Sequence, residues 1–146
     1  MDISMLDKML LGAAFVQLAA TILLMLWTGK LRVSALNSRE VSLKDIALSG
    51  EKYPLRARQL ANAYANQFQL PVLFYFAVLV ALLLERVDMV GVILAWVFVA
   101  SRLAHMFIHT GTNNLIHRFY AFLAGLIVLS LYLLWVFIPL FFSGGM

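Results

Sequence analysis

The sequence contains no cysteine among its 146 residues. This absence excludes disulfides, metal sites built on thiolates and a cysteine nucleophile. Any thiol chemistry in this protein therefore needs a thiol that a substrate brings.

Charged residues are also scarce. They make up 12% of the sequence, whereas 64% of it is hydrophobic and the mean hydropathy is +0.93. A chain of this length cannot bury so much apolar surface inside a water-soluble domain, so we expect an integral membrane protein. The net charge of +4 comes from basic residues beside apolar spans, which membrane topology explains without a nucleic-acid partner.

Four apolar segments are long enough to cross a bilayer, which takes about 20 helical residues. The sequence predicts transmembrane helices at about 5–28, 54–85, 89–110 and 115–142. A polar segment at 30–53 separates the first two, and GTNN at 111–114 is typical of a turn. We therefore predict one all-α domain over residues 1–146, an integral membrane four-helix bundle.

The second span carries polar side chains in its first half. Arg58, Asn62, Asn66 and Gln69 are four, four and three residues apart, so they share one face of a helix. Pro71 follows and predicts a kink, because it removes a backbone hydrogen bond. Polar groups are costly in hydrocarbon, so we expect this face to be buried, either in a helix contact or in a site.

The third span carries three further polar residues on one face. Arg102, His105 and His109 are three and four residues apart, and no carboxylate lies in the middle of any span. The arginines would therefore be matched by an anionic ligand, since a guanidinium can hold a carboxylate through two hydrogen bonds. The two histidines also have the spacing of a metal-ligand pair, but only His117 could join them, so we expect no metal.

Basic residues lie mostly on one side of the predicted bundle. The opposite side has only Lys8 and Arg86. The positive-inside rule therefore predicts that the first and third loops are cytoplasmic and that both termini lie on the opposite side of a cell membrane. The basic residues of the first and third loops and their adjoining helix ends are Lys30, Arg32, Arg39, Lys44, Lys52, Arg56, Arg58 and Arg118.

Three segments resemble the MAPEG family, the membrane-associated proteins of eicosanoid and glutathione metabolism. They are TGKLR at 28–32, NQFQLPVLFY at 66–75 and WVFVASRLAHMFIHTGTNNLIHRF at 96–119. The resemblance covers nearly the whole chain, and the central segment is closer to the bacterial branch of the family. It implies a homotrimer with a glutathione site between neighbouring subunits, open to the cytoplasmic side.

The resemblance also implies residue roles. Arg118 would be the catalytic residue, because a fixed cation stabilises a thiolate. The sequence departs from the family where many members carry a glutamate on the second helix, since Gln67 or Gln69 stands there, and Phe119 replaces a serine of some members. The residues expected to contact glutathione are Arg32, Arg58, Asn62, Asn66, Gln69, Arg102, His105 and His109.

We therefore expect a membrane-embedded, glutathione-dependent transferase or peroxidase. Its partners would be the thiol glutathione, a lipophilic electrophile from the bilayer and two further copies of the chain. Two alternatives stay open. One is a non-catalytic binding or scaffold protein of the same fold. The other is a small transporter, although such proteins typically need a carboxylate inside the membrane.

Overall fold

The computed structural model describes residues 3–142, and the residues before and after that range are outside it. All regular elements in the described range are helices. They are α1 (Met5–Asn37), α2 (Leu55–Ala65), a 3-10 turn (Asn66–Phe68), α3 (Leu70–Leu83), α4 (Met89–Thr110) and α5 (Leu115–Phe142). Together α2 and α3 form the second of four helical segments that are long and apolar enough to span a membrane. The all-α class and the four spans are as the sequence predicts.

The first helix is longer than expected. The prediction ended it at about residue 28, but α1 continues through Gly29 to Asn37. Ala35 in this extension is buried and packs in a cluster with Tyr53 and Ala57, at the start of the second span. This tertiary contact outweighs the cost of about 1 kcal/mol that a glycine brings to a helix interior. The helix therefore extends beyond the apolar part of its sequence.

The second span breaks at the place that its proline predicts. Between α2 and α3 lies the 3-10 turn, followed by Gln69 with φ −98° and ψ −104°. Pro71 occupies the first turn of α3. A backbone N–H has no helical acceptor at this position, so proline removes no helical hydrogen bond there. A buried hydrogen bond also holds the break, because Gln17 Nε2 of α1 donates to Gln67 Oε1 over 2.8 Å.

The apolar core fills the half of the bundle near the loop at 84–88. Phe74 of α3 packs on Phe98 of α4 with ring centroids 4.7 Å apart, and on Tyr132 of α5 at 6.1 Å. At the end of this half, Asp88 accepts from Gly91 N and from Trp135 Nε1, which caps α4 and ties it to α5. The polar residues of α4 consequently lie in the other half of the bundle.

Candidate functional site

The site is built on the second half of α4. Arg102, His105 and His109 are all buried, with 0%, 2% and 1% of their surface exposed. Their spacing places them on one face, and the two imidazole rings meet edge to face with centroids 5.6 Å apart. Arg102 lies about 12 Å along the helix from its end at Thr110, since each residue rises 1.5 Å.

The guanidinium of Arg102 has few partners for a buried cation. Its Nη2 donates a long hydrogen bond, 3.4 Å, to the carbonyl of Asn66 in the broken second span. Its carbon Cζ lies 5.7 Å from the ring centroid of Phe122 on α5. Nε and Nη1 have no hydrogen-bond partner. A buried charge is costly unless it is paired, so this arrangement suits an anionic ligand.

Arg118 completes the cluster from the first turn of α5. Its Nη1 donates to Asn113 Oδ1 in the turn between α4 and α5, over 2.8 Å. Arg118 and Arg102 are both close enough for their charges to act on His105 and His109, so the two arginines and the two imidazoles form one group. The cluster of Arg102, His105, His109 and Arg118 is called the basic cluster below.

Unsatisfied polar atoms concentrate in these residues. Nine buried side-chain nitrogen or oxygen atoms in the described range have no hydrogen-bond partner, and six of them belong to Arg32 and the basic cluster. They are Nε of Arg32, Arg102 and Arg118, Nη1 of Arg102, and Nδ1 of His105 and His109. Most buried polar groups in proteins are paired, so this concentration indicates a binding site.

Arg32 lies against the first loop. Its guanidinium is 5.1 Å from the ring centroid of Tyr53, and a side chain at Gly50 would lie 3.5 Å from its Nη2. This placement keeps Arg32 at the same end of the bundle as the α4–α5 turn.

The polar stripe of α2 is on the surface of the single chain. Arg58, Asn62 and Gln69 are exposed, and Asn66 is half-buried. The 3-10 turn at 66–68 interrupts the helix before Gln69, and of the two glutamines here Gln67 is buried whereas Gln69 is exposed. The expectation that the whole stripe is buried is therefore not met within the single chain, where only Asn66 of the four residues is half-buried.

Two residues hold the helices of the site in place, although the sequence analysis did not assign them to it. Gln59 Nε2 donates to the carbonyl of His109 over 2.8 Å, and Arg56 Nη1 donates to the carbonyl of Thr110. These carbonyls are in the last turn of α4, where helical partners are lacking. Arg56 and Gln59 are three residues apart at the start of α2, so they share one face of that helix, but their spacing does not specify what this face contacts.

Among residues 3–142, no set of three or more histidine, aspartate or glutamate side chains could hold a metal ion, and His117 is exposed.

Comparison with known proteins agrees with the sequence resemblance. The model of the MAPEG family matches residues 10–138, a range that contains every residue of the candidate site. Searches of curated proteins and of solved structures found no match. Because the family match covers most of the 146 residues, this chain is a multi-pass membrane protein that belongs to the MAPEG family.

Proposed function

We propose that this protein is a glutathione-dependent transferase or peroxidase that acts on lipophilic electrophiles dissolved in the membrane. The observation that carries the proposal is Arg102, a fully buried guanidinium with two unpartnered donor atoms. Glutathione is a fitting ligand because it combines carboxylates with a thiol, and this chain has no thiol of its own. Members of the MAPEG family include glutathione transferases and peroxidases.

Different residues of the basic cluster and its surroundings bind different groups of glutathione. Arg102 and Arg32 hold carboxylates, because guanidinium groups bind them with directed hydrogen bonds. Asn66 borders the same space, since its backbone carbonyl accepts a hydrogen bond from Arg102 Nη2. His105 or His109 orients the ligand through its free Nδ1. A glutamine in place of the family's glutamate accepts a hydrogen bond from the ligand's amino group without adding charge.

The polar stripe suggests a site shared between subunits. Arg58, Asn62 and Gln69 are exposed within a membrane-spanning segment, where polar side chains facing lipid are costly. We infer that a neighbouring subunit of a homotrimer covers this stripe, and that Arg58 and Asn62 bind glutathione there. On this proposal the site opens to the cytoplasmic side, where the first and third loops lie.

Arg118 has the catalytic role. Its fixed positive charge stabilises the thiolate, which is the nucleophilic form of a thiol. In the transferase reaction the sulfur forms a bond to an electrophilic carbon, and the leaving group departs with its electron pair. In the peroxidase reaction two thiols are oxidised to one disulfide, while an organic hydroperoxide is reduced to an alcohol and water.

The first experiment measures glutathione binding to the detergent-purified protein by calorimetry, together with the ultraviolet absorbance of a bound thiolate. We expect binding with a thiolate signal in the wild type. Arg118→Ala should lose that signal and about 10²–10³-fold in turnover, the usual effect of removing one electrostatic stabiliser. Arg39→Ala, at an exposed arginine of the first loop, is the matched control and should change neither.

The outcomes separate the possible functions. A thiolate signal that disappears in Arg118→Ala supports the enzyme. Binding without a thiolate indicates a protein that holds the ligand without activating it. A wild type that does not bind glutathione refutes the proposal.

A further inference from the structure

A cavity lies on a different face of α4 from the basic cluster. It has a volume of about 650 Å³ and lies between α1 and α4. Along α1 it extends from Phe15 to Trp27, a distance of about 18 Å at 1.5 Å per residue. Most of its walls are apolar side chains, including Leu23, Leu24, Leu103, Met106 and Phe107, and its lining contains no carboxylate.

One end of this cavity is polar and positively charged. Arg56 lines it there, with its guanidinium carbon 5.2 Å from the ring centroid of Trp27. The hydrogen bonds from Arg56 to Thr110 O and to Gln59 Oε1 both leave from Nη1, so they do not use its Nε and Nη2 donors. Lys30 follows Trp27 by three residues on α1 and is exposed. Two cations therefore lie near the mouth of an apolar channel.

We propose that this cavity binds an anionic phospholipid, with an acyl chain between α1 and α4 and the phosphate at Arg56 and Lys30. Tryptophan favours the level of the lipid headgroups, and basic pockets between transmembrane helices bind anionic headgroups. The rim residues Phe15, Leu23 and Phe107 are exposed on the outside of a membrane-spanning bundle, so lipid has direct access.

Charge complementarity favours this lipid over a second copy of the chain. Glu40, Asp45 and Glu51 belong to the first loop, and Glu85 and Asp88 belong to the loop at the opposite end. Asp7 in the first turn of α1 is also at that opposite end. A neighbouring copy could thus bring carboxylates to the end where Arg56 lies only from its first loop, because its described spans carry none there. Phospholipid phosphates lie at the surface of a bilayer, next to the ends of the spans, and Arg56 is the second residue of its span.

The test is native mass spectrometry of the detergent-purified protein with palmitoyl-oleoyl phosphatidylglycerol and with the phosphatidylcholine that has the same acyl chains. We expect the wild type to retain the anionic lipid preferentially. Arg56→Gln should reduce this preference about fivefold, since one cation near the membrane surface contributes about that factor. Arg39→Gln makes the same substitution at an exposed loop arginine outside the cavity and should leave the preference unchanged.

A second variant tests the cavity without removing charge. Ala19 lines the cavity and is half-buried, so Ala19→Trp should fill the channel and displace the lipid while Arg56 remains. This variant keeps the proposal testable if loss of the Arg56 bond to Thr110 prevents folding.

Three results would overturn the proposal. One is equal retention of the two lipids by the wild type. Another is an Ala19→Trp protein that keeps the lipid but changes its number of subunits, which would make the cavity a contact between copies. The third is a cavity that binds a lipophilic electrophile and does not bind the phospholipid. None of these measurements depends on glutathione, so the lipid site and the proposed function succeed or fail separately.

Discussion

Arg102 is enclosed because a glycine faces it from α5. Gly125 is buried, and a Cβ atom there would lie 3.0 Å from Ser101 Oγ and 3.3 Å from Arg102 Cδ. Both distances are shorter than ordinary van der Waals contacts, so α5 passes this close to α4 only because residue 125 has no side chain. The absence of a methyl group at Gly125 therefore determines where the buried guanidinium of Arg102 can lie.

Gly125→Ala should displace Arg102 and weaken glutathione binding about tenfold. Overpacking of this kind costs about 1–3 kcal/mol, so the melting temperature should also fall. Calorimetry and thermal unfolding in detergent measure the two effects. Gly29→Ala is the matched control, because nothing lies within 4 Å of its added methyl group and alanine favours a helix. Wild-type affinity in Gly125→Ala would contradict the prediction.

Asp45 in the first loop gives a pH-dependent prediction outside the membrane. Hydrogen bonds from Lys52 Nζ, at 2.5 Å, and from Ser42 hold the pKa of this carboxyl well below its usual range. A carboxyl whose pKa is lower in the folded loop stabilises it above its unfolded pKa, about 4, and loses that effect as the pH falls.

Asp45→Asn should therefore loosen the loop at pH 7, and its difference from the wild type should shrink as the pH falls below about 4. Hydrogen exchange of residues 38–54, compared between the two proteins at each pH, measures this difference. Glu51→Gln, at another exposed acid of the loop, should exchange like the wild type. A difference between Asp45→Asn and the wild type that persists unchanged at acid pH would argue against the ion pair.

At the scale of elements, the break between α2 and α3 connects the core to the basic cluster. Pro71 permits the break, and the buried bond from Gln17 to Gln67 fastens it to α1. The same break presents the carbonyl of Asn66 to Arg102. The position of one irregular turn thus affects both the packing of α1 and the surroundings of the buried guanidinium.

Gln17→Leu should destabilise the fold by about 0.6–2 kcal/mol, because it leaves Gln67 Oε1 without its donor inside the membrane. The double variant Gln17→Leu/Gln67→Leu should recover part of this loss, since both polar partners are then gone. Unfolding by a denaturing detergent, analysed as a double-mutant cycle, gives the coupling energy. Leu18→Ala, at the exposed neighbour, controls for changes on α1. Strictly additive effects would show that the two amides are not coupled.

At the scale of the whole molecule, the two ends of the bundle differ in chemistry. One end joins α1 to α2 and α4 to α5, and it holds Arg32, Arg56, Arg118 and most of the loop charges. The other end joins α3 to α4, where Asp88 ties two helices. The positive-inside rule therefore still predicts a cytoplasmic location for the first of these ends.

Single introduced cysteines can test this sidedness, because the natural chain has none. Leu48→Cys and Thr112→Cys place a thiol in the first and third loops, and Leu84→Cys places one at the opposite end. An impermeant thiol reagent should label positions 48 and 112 in inverted membrane vesicles and position 84 in intact cells. The reverse labelling pattern would place the basic cluster on the outer side of the membrane.

The third and fourth spans were the easiest to predict. The expected bounds of the third span, 89–110, coincide with α4, and the expected start of the fourth, residue 115, coincides with that of α5, because turn signals precede both helices. The end of α1 was missed because its last turns are held by Tyr53 and Ala57, which are distant in the sequence. The exposure of Arg58 and Asn62 was missed for a similar reason, since spacing identifies a shared face but not what covers it.

The sequence by itself determined the membrane class, the four helical spans, the kink before Pro71 and the shared face of Arg102, His105 and His109. Each of these follows from hydropathy, spacing or backbone chemistry within a short segment. Only the tertiary structure decided that Gln67 rather than Gln69 is buried, that Arg56 and Gln59 clamp the end of α4, and that a cavity lies between α1 and α4. These features depend on contacts between segments far apart in the chain, which no local pattern specifies.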